Sequence, residues 1–157
     1  MITCSFQTPI GILEVTGDED FIYGISFDKP YKSCPTNTLV SYCIEQFKSY
    51  FSGRLKKIDV PYQMQGTAFQ KKVLDCVKQI HFGQTKSYLQ IASELGNGNA
   101  VRAIGLVNSK NPLPIIIPCH RVIGSNGSLK GYIGGMWRKK WLLDHERSAY
   151  QMNLFFY

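Results

Sequence analysis

Two features common in other protein classes are absent from this sequence of 157 residues. No uninterrupted apolar run approaches the ~20 residues that a membrane-spanning helix needs. The opening residues 1–4 also lack the basic start of a signal peptide. The sequence therefore predicts a cytoplasmic protein that does not cross a membrane.

Cysteines at a closely paired spacing are absent as well. An odd number of cysteines without any Cys-x-x-Cys spacing predicts reduced thiols rather than a disulfide framework. No zinc-knuckle pattern is present either. The five cysteines are Cys4, Cys34, Cys43, Cys76 and Cys119.

Acidic side chains are scarce in the second half of the chain. Residues 66–157 contain twelve Lys/Arg and four Asp/Glu, a net charge of +8, whereas residues 1–65 contain six and seven, a net charge of −1. A basic lobe beside a near-neutral one is typical of a protein that binds a polyanion, and nucleic acid is the obvious candidate. The alternative is that the basic residues only solubilise a helix face.

The first part of the sequence predicts strands followed by one helix. Apolar residues alternate in three segments between residues 2 and 27, which predicts an antiparallel meander with one buried face. Apolar residues then recur at helical spacing over 39–51, and Gly53 follows in a C-cap position. We predict that this helix covers the sheet and completes an N-terminal α/β lobe over residues 1–62.

Residues 63–157 predict a mainly helical domain. Capping boxes at Thr67–Gln70 and Ser87–Gln90 mark two helix starts, and Asn99 is placed to cap a helix over 100–108. Two helices around a short glycine-containing turn form a helix-turn-helix pattern, although many helical hairpins bind nothing. The helix that starts at Thr67 is predicted to bury Phe69, Val73, Val77 and Ile80, with Cys76 beside them in the core.

The segment around Cys119-His120 carries the strongest chemical signal. Three isoleucines, 115–117, predict a short strand buried on both faces that ends at Pro118. A thiol is nucleophilic as the thiolate, and a neighbouring imidazole can take its proton. Adjacent strand residues point to opposite faces, so His120 reaches Cys119 only if the chain turns there or if a water relays the proton. Alone, the pair also fits a buried cysteine that only fills space.

Two further elements follow the cysteine. Asn126-Gly127 predicts a hairpin over 122–129. A helix over 136–146 is predicted to carry its basic residues outside and its large apolar residues mostly inside, and residues 147–157 form an aromatic tail without an assigned role. The residues predicted outside are Arg138, Lys139 and Lys140, and those predicted inside are Trp137, Trp141, Leu142 and Leu143.

A long string of motifs resembles the O6-alkylguanine-DNA alkyltransferases, also called methylated-DNA–protein-cysteine methyltransferases. The resemblance is strong over the C-terminal domain. Over the N-terminal lobe it extends only to the layout of the predicted elements. It rests on Asn111-Pro112-Leu113-Pro114, Ile117–Gly124, Gly131-Tyr132 and Gly134-Gly135, on Gly66–Gln70, Ser87-Tyr88 and Ala100–Gly105 upstream, and on Arg138-Lys139, Leu142-Leu143 and Glu146 downstream.

The resemblance implies an α+β fold. A ribonuclease H-like N-terminal lobe precedes a helical domain with a helix-turn-helix and a Pro-Cys-His turn. It also implies DNA repair by an enzyme that acts once and works as a monomer without a cofactor. Some members of the family hold zinc in the N-terminal lobe, but Cys4 and Cys34 lack a matching histidine, so no metal is predicted.

By the same resemblance, Cys119 accepts the alkyl group. Glu146 orients His120, which deprotonates Cys119 through a water, while Asn111 fixes the turn. Tyr88 hydrogen-bonds the guanine as it departs with developing negative charge.

The resemblance further implies binding in the minor groove of double-stranded DNA that contains O6-alkylguanine. Arg102 takes the place of the flipped base, and Val107, where the family tends to have alanine, could alter the groove fit. The predicted DNA-binding residues are Arg102, Ala103, Gly105, Tyr88 and Ser125. The predicted base pocket is formed by Pro114, Val122, Tyr132, Ile133 and Gly134, with the carbonyls of Cys119 and Val122 accepting from the guanine amine.

Three rival interpretations fit fewer of these residues. A cysteine hydrolase could use Cys119, His120 and Glu146 on an acyl group, and would turn over. A lesion-binding module would need no chemistry, and a basic architectural protein would need no Cys-His turn.

Overall fold

The computed structural model describes residues 1–129 and 131–155, with the backbone alone over 151–155. The chain forms two compact units, Met1–Gln65 and Gly66–Tyr157. Across the described ranges, none of the helices combines the length and the apolar character needed to span a bilayer.

The first unit is an antiparallel meander covered by one helix, as predicted. Strands β1 (Ile2–Thr8), β2 (Gly11–Gly17) and β3 (Ile22–Phe27) pair in sequence order. Helix α1 (Leu39–Phe51) starts at a capping box built by Thr38 and Ser41. Its buried face packs on the sheet, with the rings of Phe6 and Phe47 5.6 Å apart.

The prediction of reduced thiols is wrong for two of the five cysteines. Cys4 and Cys34 form a disulfide across a separation of 30 residues. Ser5 donates its backbone N–H to the carbonyl of Lys32 at 2.9 Å, so the segment after β3 lies along β1 and brings the two sulfurs together. A contact of this kind depends on the path of a loop, which cysteine spacing does not reveal.

The described residues of the second unit form four α-helices. They are α2 (Ala68–Lys78), α3 (Tyr88–Glu94), α4 (Val101–Ser109) and α5 (Met136–Phe155). Both predicted capping boxes are present, Thr67 with Gln70 and Ser87 with Gln90. The cap predicted at Asn99 is wrong. The N-cap of α4 is Ala100, whose side chain has no oxygen to accept a hydrogen bond from the first backbone N–H groups of the helix. Phe69 was predicted to be buried but is 39% exposed.

The segment before the cysteine is not the predicted strand. Ile115 has a φ of 74°, and residues 114–117 form a buried turn closed by an isolated bridge between Pro114 and Ile117. Three apolar residues between prolines fit a buried turn as well as a strand, because proline removes the backbone donors that a sheet needs. A single 3-10 turn, Cys119–Arg121, follows directly.

The predicted hairpin is also absent. Strand β5 (Val122–Ile123) pairs in parallel with β4 (Lys86–Ser87) instead of with the residues that follow it. The Asn126-Gly127 turn itself is present, with Gly127 at a φ of 84° and its N–H donating to the carbonyl of Gly124. The turn therefore reverses the chain without building a two-stranded ribbon.

Helix α5 faces the core differently from the prediction. Lys139 is fully buried and Arg138 is 6% exposed, whereas Trp137 is 56% exposed. Lys139, Leu142 and Glu146 are spaced three, then four residues apart, so they lie on one buried side of the helix. The prediction followed residue type, and the helical spacing places Lys139 on the inside.

Candidate active site

The cysteine lies in a tight turn beneath the surface. Cys119 is fully buried at the start of the 3-10 turn, immediately after the buried 114–117 turn. Its backbone N–H donates to the carbonyl of Ile117 at 2.7 Å, and that of Arg121 donates to the carbonyl of Pro118 at 2.9 Å. Because the backbone turns at this point, Cys119 and His120 can both take part in one buried cluster.

Two asparagines hold the turn in place. Asn111 donates from Nδ2 to the carbonyl of Ile117 at 2.8 Å and accepts at Oδ1 from the N–H of Leu113 at 3.0 Å. Asn108 donates from Nδ2 to the carbonyl of Cys119 at 3.0 Å. Both asparagines are fully buried, so their bonds are shielded from water.

The thiol of Cys119 is protonated at rest. Burial raises its pKa to about 11, since a thiolate loses its hydration in the core. A hydrogen bond from Asn111 and the charge of Lys139 act in the opposite direction. A nucleophilic Cys119 therefore needs a base close by.

His120 has the position and the protonation state of such a base. Burial lowers the pKa of His120, although Glu146 opposes the shift, so the imidazole is neutral near pH 7. The His120 Nε2 lies 2.7 Å from Oε2 of Glu146. A carboxylate at Nε2 selects the tautomer with the proton there. The other nitrogen, Nδ1, is buried and has no hydrogen-bond partner among the described residues, so it is free to accept a proton.

Arg121 keeps the carboxylate of Glu146 ionised. Its guanidinium donates from Nε to Oε1 at 2.7 Å and from Nη2 to Oε2 at 2.9 Å, while Nη1 donates to the carbonyl of Ile80 at 2.7 Å. Burial alone would raise the pKa of Glu146, but His120 and Arg121 outweigh it and hold the pKa below its usual value. Arg121 thus joins the 3-10 turn to α5 and to the segment that follows α2.

Lys139 places a second cation inside the cluster. Its Nζ donates to the carbonyl of Val122 at 2.5 Å and lies 5.7 Å from the ring centroid of Tyr88. Burial lowers the pKa of Lys139 to about 8, and Cys119 partly opposes this shift. Below pH 8 the ammonium is charged and favours the thiolate of Cys119.

A groove of about 830 Å³ lies over the helix-turn-helix. Gly131 lies at its edge with a φ of 86°, and a Cβ there would come within 3.2 Å of the Tyr88 hydroxyl. The described residues that line the groove are Tyr88, Asn99, Arg102, Ala103, Gly105, Leu106, Ser109 and Gly131.

Sequence comparison identifies the family. The family model described as 6-O-methylguanine DNA methyltransferase, DNA binding domain, matches residues 68–148, and the model for its ribonuclease-like domain matches residues 1–64. The chain belongs to the 6-O-methylguanine DNA methyltransferase family.

Curated and solved members of this methyltransferase family resemble the chain over most of its length. The methylated-DNA–protein-cysteine methyltransferase of Methanosarcina acetivorans is 41% identical over 151 residues, which cover 92% of this chain and 97% of that protein. The enzyme of the same name from Mycobacterium leprae is 39% identical and covers 94% and 93%. The crystal structure of Mycobacterium tuberculosis OGT in complex with DNA superposes with a TM-score of 0.86 at 37% identity, covering 94% of this chain and 93% of that one.

The structure brings most of the predicted catalytic residues into one cluster. Asn111 hydrogen-bonds Cys119, and His120, the next residue in the chain, hydrogen-bonds Glu146. Tyr88 lies beside Lys139, whose Nζ is 5.7 Å from the centroid of the tyrosine ring. Asn108 also hydrogen-bonds Tyr88, which partly offsets the increase in the Tyr88 pKa that burial causes.

The predicted pocket and DNA-binding residues are more dispersed. Tyr132 is buried, with its ring 6.5 Å from that of His120, and Val122 accepts from Lys139. Pro114 and Gly134 are buried, whereas Ile133 is 43% exposed. Arg102, Ala103 and Gly105 line the groove with Tyr88, while Ser125 is exposed in the 124–127 turn and is not among the described lining residues.

Sequence reasoning missed Arg121, Lys139 and Asn108 as members of the site. The spacing of Lys139 to Leu142 and Glu146 could have placed Lys139 on the buried side of α5. The sequence also suggested that Val107 affects the fit of α4 in the DNA groove. Val107 is only 8% exposed, and its neighbour Leu106, at 57%, is the residue that faces the groove.

We expect Lys139→Met to slow alkyl transfer most strongly below pH 8. Loss of the buried charge raises the pKa of Cys119, so less thiolate forms at a given pH. Because the pKa of Lys139 is about 8, the wild-type protein itself loses this charge above that pH, and the two rates should converge there. Single-turnover rates on a duplex with one O6-methylguanine, from pH 6 to pH 9, would measure the difference.

Lys140→Met is the matched control for this experiment. Lys140 is the next residue on α5, but it is exposed and pairs with Asp144 at 2.8 Å. Its removal should leave the rate and its pH dependence unchanged. A rate ratio for Lys139→Met that stays constant across pH 8 would contradict the electrostatic role.

Proposed function

We propose that the chain repairs DNA by transferring an alkyl group from O6 of guanine to Sγ of Cys119. The observation that carries the proposal is the buried thiol in a turn shared with a neutral imidazole, which is itself held by an ionised carboxylate. His120 takes the thiol proton, directly or through water, and Glu146 stabilises the resulting imidazolium. The thiolate then attacks the alkyl carbon.

The transfer is a single displacement. The bond between sulfur and the alkyl carbon forms as the bond between that carbon and O6 breaks, and the electron pair stays on the guanine. In this proposal the hydroxyl of Tyr88 and the charge of Lys139, both of which interact electrostatically with Cys119, stabilise the departing anion. The product is a thioether without an activated bond for water to attack, so each protein molecule acts once.

The substrate must reach a cysteine that has no exposed surface. Chemistry on a base in duplex DNA requires extrusion of that base from the stack. We therefore propose that the damaged guanine swings out of the helix and enters the site from the groove, with Arg102 filling the gap in the stack. The net charge of +8 in residues 66–157 and the DNA complex of the Mycobacterium tuberculosis relative support the DNA binding that this step requires.

The fit of the helix-turn-helix argues for the minor groove. Ala103 and Gly105 are small enough for a close approach, and Arg102 is the one long basic residue of α4. Major-groove reading would call for several polar side chains directed at base edges. In this proposal the protein binds as a monomer, and its cytoplasmic location stays a prediction.

The extruded base would lie among Pro114, Tyr132, Ile133 and Gly134. Of the two carbonyls expected to accept from the guanine amine, that of Cys119 already accepts from Asn108 and from the backbone N–H of Val122. Both of its lone pairs are therefore engaged. We propose that the carbonyl of Val122 is the main acceptor, and that Lys139 holds it in place.

Intact-protein mass spectrometry tests the proposed function. We expect incubation with a duplex carrying one O6-methylguanine to add one methyl group per protein, and peptide mapping to locate it on Cys119. Turnover beyond one equivalent would instead indicate a hydrolase. Lesion-selective binding without any mass change would indicate a recognition module.

A further inference from the structure

One large apolar side chain on the DNA-facing helix stands out by its exposure. Leu106 is 57% exposed, although it lies in the middle of α4. It lines the groove of about 830 Å³ together with Arg102, Ala103 and Gly105. None of the catalytic steps proposed above uses it.

The spacing of Leu106 and Arg102 places them side by side. They are four residues apart on α4, so they share one face of the helix with a rise of about 6 Å between them. Residues between and beside them on the groove wall, Ala103 and Gly105, carry little or no side chain. Leu106 and Arg102 are thus the two long side chains that α4 extends into the groove.

We propose that Leu106 is an apolar wedge that enters the minor groove beside Arg102 and opens the base stack next to the extruded nucleotide. The inference rests on the proposed binding mode and adds a specificity residue to it. Minor-groove proteins commonly insert a leucine, isoleucine or methionine between base steps and bend the duplex as they do so.

The surroundings of Leu106 favour DNA over another protein as its occupant. The same groove presents Arg102, and residues 66–157 carry twelve Lys/Arg against four Asp/Glu, which complements a phosphate backbone. A lone exposed leucine beside a cation offers too little area for a stable protein interface. A single leucine suffices as a wedge, because it has to separate only one pair of bases.

A wedge changes recognition in a specific way. It lowers the cost of extrusion only where there is a stack to open, so its effect belongs to duplex DNA. Single-stranded DNA presents no such stack to open. A leucine that only added non-specific apolar contact would affect binding to duplex and to single-stranded DNA alike.

The test compares Leu106→Ala and Leu106→Met with the wild-type protein on the same O6-methylguanine sequence as duplex and as single strand. We expect Leu106→Ala to bind the duplex about tenfold more weakly, because a leucine that was buried in the complex is lost. Its affinity for the single strand should not change. Leu106→Met, which keeps an apolar side chain of similar length, should retain most of the duplex affinity. Fluorescence anisotropy measures the affinities, and energy transfer between dyes at the duplex ends measures the bend, which should decrease in Leu106→Ala.

Leu89→Ala is the matched control. Leu89 is a leucine of α3 with a similar exposure, 49%, and is not among the described residues of the groove. The Leu89→Ala variant should bind both forms of DNA, and bend the duplex, as the wild-type protein does. Equal losses in Leu89→Ala and Leu106→Ala would reduce the effect to general apolar contact and overturn the wedge.

Other outcomes separate the wedge from the proposed function. Unchanged or tighter duplex binding by Leu106→Ala overturns the wedge even if Cys119 becomes methylated. Reduced bending by Leu106→Ala supports the wedge even if mass spectrometry finds no methyl group on Cys119, in which case the alkyl transfer fails alone. A wild-type protein that does not bind duplex DNA overturns both.

Discussion

We expect Cys119→Ala to accept no alkyl group while it binds duplex DNA with nearly wild-type affinity. The substitution removes the only atom that receives the alkyl carbon, and no neighbouring group replaces it. It removes one buried sulfur from a turn whose hydrogen bonds come from Asn108, Asn111 and the backbone, so the turn should persist. Protein mass and gel shift on the same lesion-containing duplex would measure transfer and binding separately.

A second cysteine provides the control for this loss. Cys76 donates its thiol to Glu94 at 2.9 Å, and burial, together with that carboxylate, raises its pKa to about 11. Cys76 is therefore a reduced thiol outside the cluster of Cys119, His120 and Glu146, and Cys76→Ala should accept one methyl group as the wild-type protein does. If Cys119→Ala lost DNA binding to the same degree as transfer, Cys119 would be structural.

Local patterns predicted the elements that depend on neighbours in sequence. The alternation in residues 2–27 predicted the meander, because each strand buries one face against the same core. The boxes at Thr67 and Ser87 predicted the starts of α2 and α3, because a capping side chain binds a backbone donor only three residues away. Such short-range rules need no knowledge of the rest of the fold.

The predictions that failed depend on contacts between distant segments. Cys4 pairs with Cys34 because the segment after β3 passes along β1, and β5 pairs with β4 across 36 residues rather than with its own neighbours. Lys139 looks like a surface residue by its charge. Its burial is tolerated because the carbonyl of Val122 satisfies the ammonium.

The candidate site depends both on residues that are neighbours in sequence and on contacts between distant segments. The resemblance pointed to Cys119, His120 and Glu146, and the structure adds the physical reason for Arg121, which follows His120 directly. Glu146 lies between the two, so one carboxylate orients the imidazole and neutralises the guanidinium. That arrangement makes Arg121 a positioning residue, because it holds the carboxylate that orients His120.

We expect Glu146→Gln to destabilise the protein by about 3–5 kcal/mol, since it leaves the buried guanidinium of Arg121 without a counter-charge. Because the pKa of Glu146 is depressed by folding, its contribution is full above the unfolded pKa of about 4.3 and is lost as the pH falls. The difference in the free energy of unfolding between variant and wild type should therefore become smaller in acid. Urea unfolding at pH 7 and pH 4 would measure it, with Asp144→Asn, an exposed carboxylate on the same helix, as the control that should change little.

Combining Arg121→Met with Glu146→Gln separates the two roles of this pair. Removing both charges leaves neither member of the Arg121–Glu146 pair as an uncompensated buried ion, so the double variant should recover most of the stability that Glu146→Gln loses. Alkyl transfer should not recover, because His120 still lacks the carboxylate that selects its tautomer and stabilises its imidazolium, and general-base assistance contributes about 10²-fold or more. Arg121→Met alone should fold but need a higher pH to react, since the charge of Arg121 lowers the pKa of His120 and its loss leaves less of the imidazole neutral at a given pH. A double variant that regained the wild-type rate would show that Glu146 serves the fold and not the transfer.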